Sequence, residues 1–521
     1  MTEKAKTLLP TGSRLPTGSR WRTVAIAAAI LGLSACSFTP EYTRPALAVP
    51  GSLPAPVSAA SSAASATSAA DAVKVAELPW RTYFPDARLQ QLIALSLDHN
   101  RDLRVAVLNI EQLRAAYQIQ SADRFPSLNG VVNGARQRST ASPFAYGNSV
   151  QAGLQVSAYE LDLFGRVKAL TDAAAAQVLA TEAARRTTHI SLVASVANAY
   201  YTLWADRWQT ALAAQTLTTR DSSYKLLKLK FDNGVLNELD LRSAQSLVEA
   251  ARITQAQARR QWAQDLSALN LLLGQSAPAE LLPPVVDVST LAPSTSPSSS
   301  QAAGQLITAS LWPDLSELPV GLSSDVLLQR PDIAQAEQSL IGANANIGAA
   351  RAARFPRISL TASAGVASTS LSGLVDGGLV GASFAPSISL PLFDAGRTKA
   401  GVDSALVKRD IAVAQYDKAV QTAFKEVADA LVARSSYADQ AAAQLAQAQA
   451  EAARLRLSTL RYDTGVASQL DLLDAQRALF SAQQALITAQ LARQQAHIGV
   501  YKALGGGWVD GELQQARAEA R

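Results

Sequence analysis

Leu470, Asp474 and Arg477 stand at i, i+4 and i+7, so any helix that carries them shows all three on one face. A carboxylate and a guanidinium at that spacing can pair, and the leucine adds an apolar patch one turn away. Repeated around a symmetry axis, the face would give a ring of Leu470 as an apolar constriction and a ring of Asp474 as an acidic one. Arg477 could then lock the ring by pairing with Asp474 of its own or a neighbouring chain. Read alone, the same pair is an ordinary surface ion pair worth about 0–1 kcal/mol. Groups for catalysis are sparse. His99, His189 and His497 are scattered, no H-E-x-x-H occurs, and no second cysteine could complete a metal site. No G-x-x-x-x-G-K-[ST] loop occurs, and the glycine-rich Gly377–Ala382 lies in a strand hairpin. The sequence therefore predicts no enzyme, and no cofactor or metal.

Cys36 is the only cysteine, which rules out an internal disulfide. It follows Arg20 and Arg22, an apolar run from Val24 to Leu33, and Leu33-Ser34-Ala35. A run of about ten apolar residues suits a secretory signal and is too short for a bilayer span. The Leu-Ser-Ala-Cys ending resembles a bacterial lipobox, in which cleavage exposes a cysteine for lipid modification. Ser37 after it resembles the pattern sorted onward to the outer membrane. Each buried acyl methylene contributes about 0.8 kcal/mol, so two or three chains make a firm anchor. Of the net charge of +5, residues 1–35 hold +4, leaving about +1 for the rest. Nucleic acid is not implied.

The elements that must position these residues follow from proline placement. No proline lies between Phe144 and Ala277, and none after Pro391. A proline inside a helix removes a hydrogen bond and clashes with the preceding turn, so these spans, rich in Ala, Gln, Leu and Arg, predict very long helices. They divide at Gly234 and Gly465 into Arg166–Phe231 with Asn237–Leu273, and Arg397–Tyr462 with Ser468–Leu504. At 1.5 Å per residue, the longer ones would reach about 100 Å and must pack sideways as coiled coils. Before each hairpin the period changes to two. Tyr146, Val150, Ala152, Leu154, Val156 and Ala158 alternate with small or polar residues, as do Ile358–Val366 and Phe384–Leu392, with a less regular fourth strand at Ser127–Arg136. The strand pairs turn near Ser142–Pro143 and Gly373–Gly378. Segments of about ten residues, tilted, cross an outer-membrane hydrocarbon layer. Four strands cannot close a barrel and open edges are not tolerated in lipid, so several chains would have to share one.

The chain is also duplicated. FDNGVLNELDLRSAQSLVEA at Phe231–Ala250 matches YDTGVASQLDLLDAQRALFS at Tyr462–Ser481, and DRFPSLNG at Asp123–Gly130 matches ARFPRISL at Ala353–Leu360. LFGR at Leu163–Arg166 matches LFDAGR at Leu392–Arg397, and the offset stays at 229–231 throughout. Repeats of this kind bury their faces against one another in a ring or barrel. At an offset of 231, Leu470 and Asp471 match Leu239 and Asp240, whereas Asp474 and Arg477 match Ser243 and Ser246. Shared residues point to the turn; the unshared charges are the better candidates for a role of their own.

The lipobox with the Cys36…Pro40-Glu41-Tyr42…Pro45 start, the paired Arg-Phe-Pro breaks, the LDLFGR and LPLFDAGR strand exits and the YDTGV…LLDAQR hairpin together resemble the TolC family of outer membrane efflux proteins, in its OprM/NodT-like lipoprotein branch. The resemblance covers residues 36–504. It implies a mainly α fold with a small β part: a homotrimeric, TolC-like α-helical barrel continuous with a twelve-stranded transmembrane β-barrel, four strands and two tandem repeats per chain. It implies a passive conduit in the outer membrane that exports small molecules, such as drugs or toxic compounds. The partners would be a periplasmic adaptor (membrane fusion) protein, an inner-membrane, proton-driven pump of the RND type, and outer-membrane lipid. By resemblance, Leu470, Asp474 and Arg477 form the periplasmic gate, Gly234, Val235, Gly465 and Val466 are turns that contact the adaptor, and Cys36 carries the covalent lipid. An outlet for protein secretion has the same architecture, and a periplasmic adaptor lipoprotein is a weaker alternative because adaptors need one hairpin and more strands.

The expected organisation is a signal peptide at 1–35, a lipidated tether at 36–85, repeat 1 at 86–276, an inter-repeat segment at 277–329, repeat 2 at 330–504 and an exposed tail at 505–521.

Overall fold

The proline-free spans form uninterrupted helices. In the computed structural model, which describes residues 38–47, 49–51, 79–138, 146–285, 312, 315 and 324–506, both repeats share a plan of helix, strand pair and two long helices. Repeat 1 has α1 (Trp80–Tyr83), α2 (Ala87–His99), α3 (Arg101–Ala122), β1 (Leu128–Arg138), β2 (Tyr146–Leu161), α4 (Arg166–Asp232) and α5 (Glu238–Leu273). Repeat 2 has α6 (Pro331–Ala352), β3 (Arg357–Ser368), α7 (Gly373–Asp376), β4 (Leu379–Ser389), α8 (Arg397–Asp463) and α9 (Gln469–Ala503). The sequence-derived helix limits agree to within one residue, because the stop is the same glycine turn each time. Gly373–Gly378, expected as a turn, contains the single helical turn α7. No described helix is long and apolar enough to cross a membrane. Cys36 and Ser142–Pro143 lie outside the described residues.

The contacts divide the chain into two units that cut across both repeats. One holds the four strands with the adjoining helix ends. Its sheet is antiparallel in the order β1-β2-β3-β4, so β2 and β3 join the repeats while β1 and β4 are free edges. Leu154 faces Ala364, and Gly153 faces Gly365. A Cβ on either glycine would run into the opposing backbone carbonyl, so this seam needs both to be glycine. The apolar face carries Leu128, Val132, Leu154, Val380, Phe384 and Ile388, all exposed in the single chain. The opposite face carries serines paired across β3 and β4, Ser359 with Ser387 and Ser363 with Ser383, both at 2.7 Å.

The alternation read from sequence through Ala158 fails there. Ala158 sits at φ 49 in a bulge, its N–H donating to Thr361 Oγ1 at 3.2 Å. The extra residue shifts the pleat, so Tyr159 and Leu161 join the apolar face and Glu160 faces the other way. There Glu160 accepts from Nε and Nη2 of Arg166, both at 2.7 Å, and pairs with Nε of Arg357 at 2.7 Å, tying the exit of repeat 1 to the start of β3. The exit of repeat 2 is instead fixed by Asp394, which accepts the N–H of Gly396 at 3.0 Å and of Thr398 at 2.8 Å, as a helix cap.

The expected tether is partly wrong. Phe38 stacks on Phe355 at 4.5 Å, Phe355 stacks on Phe164 at 5.0 Å, and Asn344 Nδ2 donates to the Pro40 carbonyl at 2.8 Å. Thr39 lies against Gly348, where a side chain would not fit. This stretch is held by specific contacts along α6.

The other unit contains most of each long helix and the main core. Trp80, Tyr83 and Phe84, assigned from sequence to the end of the tether, are fully buried there. Tyr83 stacks parallel to Tyr501 at 4.1 Å and donates to the His497 carbonyl at 2.9 Å. Tyr200 donates to Asp86 at 2.7 Å. Large aromatic surface, with the Tyr83 and Tyr200 hydroxyls satisfied, explains why this region is core. Arg330 is buried, paired to Asp332 and Glu426 at 2.6 Å, and donates to the Ala503 carbonyl at 2.7 Å. Gly505 and Gly506 are buried beside Arg330 and Tyr501, so the described start of the expected tail is packed. Ala279–Leu281 and Ser324–Gln329 form short 3-10 turns that bury Leu281, Val326 and Leu327. The ends of the inter-repeat segment are therefore fixed.

Candidate gate and docking turns

The two hairpin turns share one construction. Gly234 and Gly465 both adopt φ +74, which an L side chain resists, although nothing lies near enough to exclude a Cβ sterically. The following residue closes the helix end: Val235 N–H donates to Lys230 O at 2.9 Å, and Val466 N–H to Arg461 O at 2.8 Å. The next helix is then capped. Asn237 Oδ1 accepts the N–H of Asp240 at 2.8 Å. Ser468 and Asp471 form a reciprocal capping box. The Ser468 hydroxyl and backbone N–H, donating to Asp471, hold that carboxyl below its ordinary range. Val235, Val466, Leu239 and Leu470 are left exposed, at 68–77 % for the first three and 66 % for Leu470. Each tip thus presents an exposed valine and leucine beside a bare glycine backbone.

Above the second turn the charges meet. Asp474 Oδ1 accepts Arg477 Nη2 at 3.2 Å within α9, and Oδ2 accepts Arg454 Nη2 from α8 at 2.9 Å. Arg454 also contacts Glu451 at 3.3 Å. Asp474 is thus forked by two guanidiniums, and its carboxylate and that of Glu451 hold Arg454 further above its ordinary range. Arg220 of α4 reaches the same place: it lies 5.5 Å over the Phe480 ring and donates to the Leu247 carbonyl at 3.2 Å. Burial, followed by the nearby charge of Arg477, pulls the Arg220 guanidinium below its ordinary range. Leu470 stands one turn nearer the tip, exposed.

Leu470, Asp474 and Arg477 therefore lie together at the second hairpin end, and the Asp474–Arg477 pair forms within one chain. Sequence reading missed Arg454, Glu451 and Arg220. Arg454 had a signal: it and Asp474 lie ten residues either side of Thr464 in the turn, so a tight hairpin brings them face to face. Arg220 had none, because its place depends on how the two hairpins pack.

This organisation has known counterparts. A family model described as outer membrane efflux protein matches residues 92–275 and 322–506, both repeats. The chain belongs to the outer membrane efflux protein family. Among the members, the toluene efflux pump outer membrane protein TtgC of Pseudomonas putida is 45 % identical over 505 residues, covering 95 % of this chain and 97 % of TtgC. Outer membrane protein OprJ of Pseudomonas aeruginosa is 42 % identical, covering 92 % and 95 %. The crystal structure of the open state of the Neisseria gonorrhoeae MtrE outer membrane channel superposes with a TM-score of 0.77 at 38 % identity, over 91 % of this chain and 99 % of that one. As an efflux protein the chain resides in the outer membrane and is a channel component of an efflux system. Its fold is the TolC-like one expected from the sequence. The adaptor alternative is set aside, since the match to this channel family spans both repeats.

Proposed function

We propose that three copies of this chain form a passive conduit for small organic molecules, delivered by an inner-membrane pump through a periplasmic adaptor. The carrying observation is the unclosed sheet. An apolar face ending in two free edges is untenable in lipid unless β4 of one copy pairs with β1 of the next. The chain contains the template for that seam. β2 and β3 are the repeat equivalents of β4 and β1, and Leu154 faces Ala364 while Leu161 faces Ile358. Moved by the repeat offset, Phe384 falls opposite Gly134 of the neighbouring copy, and Leu390 opposite its Leu128. Phe384→Cys with Gly134→Cys should give disulfide-linked oligomers in outer-membrane fractions. Equal cross-linking by Phe384→Cys with Val132→Cys would overturn the register, and monomers from both would overturn the shared barrel.

Asp474, Leu470 and Arg477, with Arg454 behind them, form the periplasmic gate in this reading: the charged fork holds α9 against α8 and so keeps the helix ends drawn in. Gly234, Val235, Gly465 and Val466 receive the adaptor's helical tips. A lipid on Cys36 anchors a segment whose continuation from Phe38 is already seated on α6. Small organic molecules are favoured over proteins as cargo because the relatives are named for efflux, TtgC for toluene.

A further inference from the structure

The helices α3, α4, α6 and α8 all attach at one end of the sheet, since Leu128 and Arg357 begin β1 and β3 while Leu161 and Ser389 end β2 and β4, and the single turn α7 lies at the other end. The other end of β1 and β2 carries Arg136, Arg138 and Tyr146. Register places Arg138 directly opposite Tyr146, and the Arg136 guanidinium lies 5.3 Å over the Tyr146 ring. By the pleat, all three are on the face of Leu128, Val132 and Leu154, the apolar one, and all three are exposed.

An arginine facing lipid costs about 2–4 kcal/mol at the bilayer midplane and about 0–1 at the interface. Two of them on the apolar face therefore mark its edge. The tyrosines give a second measure. Tyr146 and Tyr159 both point from β2 to the apolar side, near its two ends. With about 3.3 Å per residue and a tilt near 40°, they stand roughly 30 Å apart along the membrane normal. That is enough to bracket a barrel's apolar band of about 25 Å, which aromatic girdles flank at both interfaces. Tyr159 belongs to the helix side, where its hydroxyl donates to the Arg124 carbonyl at 3.0 Å. Tyr146 and the two arginines belong to the far side, at headgroup level of the outer leaflet.

We propose that Arg136 and Arg138, flanked by the Tyr146 ring, bind a phosphate of the phosphorylated glycolipid that makes up the outer leaflet. This rests on the reading of the strands as outer-membrane spans. The chemistry is specific. A guanidinium offers two parallel N–H donors to phosphate oxygens, and two guanidiniums two residues apart on one strand face can grip one monoester from both sides. The phenol ring buries against the sugar–acyl boundary, where an amphipathic ring is at home.

The test is retention of lipid by purified full-length protein. Diphosphorylated lipid A is added to detergent-solubilised wild type and to Arg136→Gln with Arg138→Gln, and bound glycolipid is counted by native mass spectrometry. Loss of roughly tenfold in affinity is expected for the double variant, the equivalent of one charge-assisted contact or more. Arg136→Lys with Arg138→Lys should fall between, since charge remains and the two-pronged geometry is lost. Inorganic phosphate at millimolar concentration should not compete, which separates a lipid site from a phosphate site. Conductance in planar bilayers should be unchanged in all variants. Equal lipid A retention by wild type and the glutamine variant, with channels forming normally, overturns the proposal. Absence of channels in wild type would instead overturn the membrane-spanning reading on which it rests.

Discussion

The two hairpin tips are built alike and charged differently. Both have a φ +74 glycine, an exposed valine closing the helix end, a polar N-cap and an exposed leucine one turn on. Only the second has the fork. Where α9 carries Asp474 and Arg477 against Arg454, the first tip carries Ser243, Ser246 and Ser223. Ser243 turns its hydroxyl back to the Leu239 carbonyl at 2.9 Å, within its own helix. The shared features make a turn; the unshared ones tie two helices together. Duplication thus separates what the fold needs from what one copy adds.

The largest effect should come from removing the fork. Asp474→Ala with Arg477→Ala is expected to raise single-channel conductance several-fold in planar bilayers, while Ser243→Ala with Ser246→Ala changes nothing. Equal responses of the two tips would erase the distinction. Arg454→Ala alone should reproduce much of the increase, and Arg454→Lys should restore part of the closure. Each bridge is screened by solvent at such exposure and contributes little alone, so in the proposed trimer the effect comes from its threefold repetition. Thermal stability should accordingly move little.

A second contrast lies higher on the hairpins. Burial, then a hydrogen bond to Asp265 and its charge, pushes the Asp206 carboxyl up to about 7, and the repeat equivalent of Asp206 is Tyr437. A carboxyl raised on folding binds more protons folded than unfolded, so this site loses stability as pH rises from about 4 to about 7. Asp206→Asn should flatten that part of the Tm–pH profile and leave the rest in place. An unchanged profile would mean the site does not titrate as placed.

The smallest effects concern the caps. Asn237→Ala and Ser468→Ala should each cost about 1 kcal/mol of local stability, read as faster amide exchange in the first turn of α5 and α9. Ser468→Ala should be the larger, since its box has two reciprocal bonds. Because Asp471 is held below its ordinary range, its contribution is present above about pH 4 and fades as pH falls through the lowered value. Fraying in acid should therefore appear at the second tip first.

Much of this was legible in the sequence because the signals are local and repeated. Proline placement fixed the long helices, since one misplaced ring would break them. Period-two runs gave the strands, and the offset near 230 gave the plan. What failed, failed for want of context. Ala158 continues a perfect alternation on paper, and only pairing with β3 reveals the bulge. Trp80, Tyr83 and Phe84 follow a low-complexity stretch and read as its tail, yet partners hundreds of residues away make them core. Arg454 was hidden by a sequence separation of twenty residues from Asp474, although symmetry about the turn could have exposed it.

The sequence by itself determined the elements, their duplication and the residues unique to one tip, because helix continuity, strand alternation and turn chemistry depend on near neighbours. The tertiary structure alone decided which charges meet, that β2 and β3 join the repeats through a pair of glycines, and that two strand edges stay open. Those facts depend on distances between residues far apart in the chain, which no local pattern encodes.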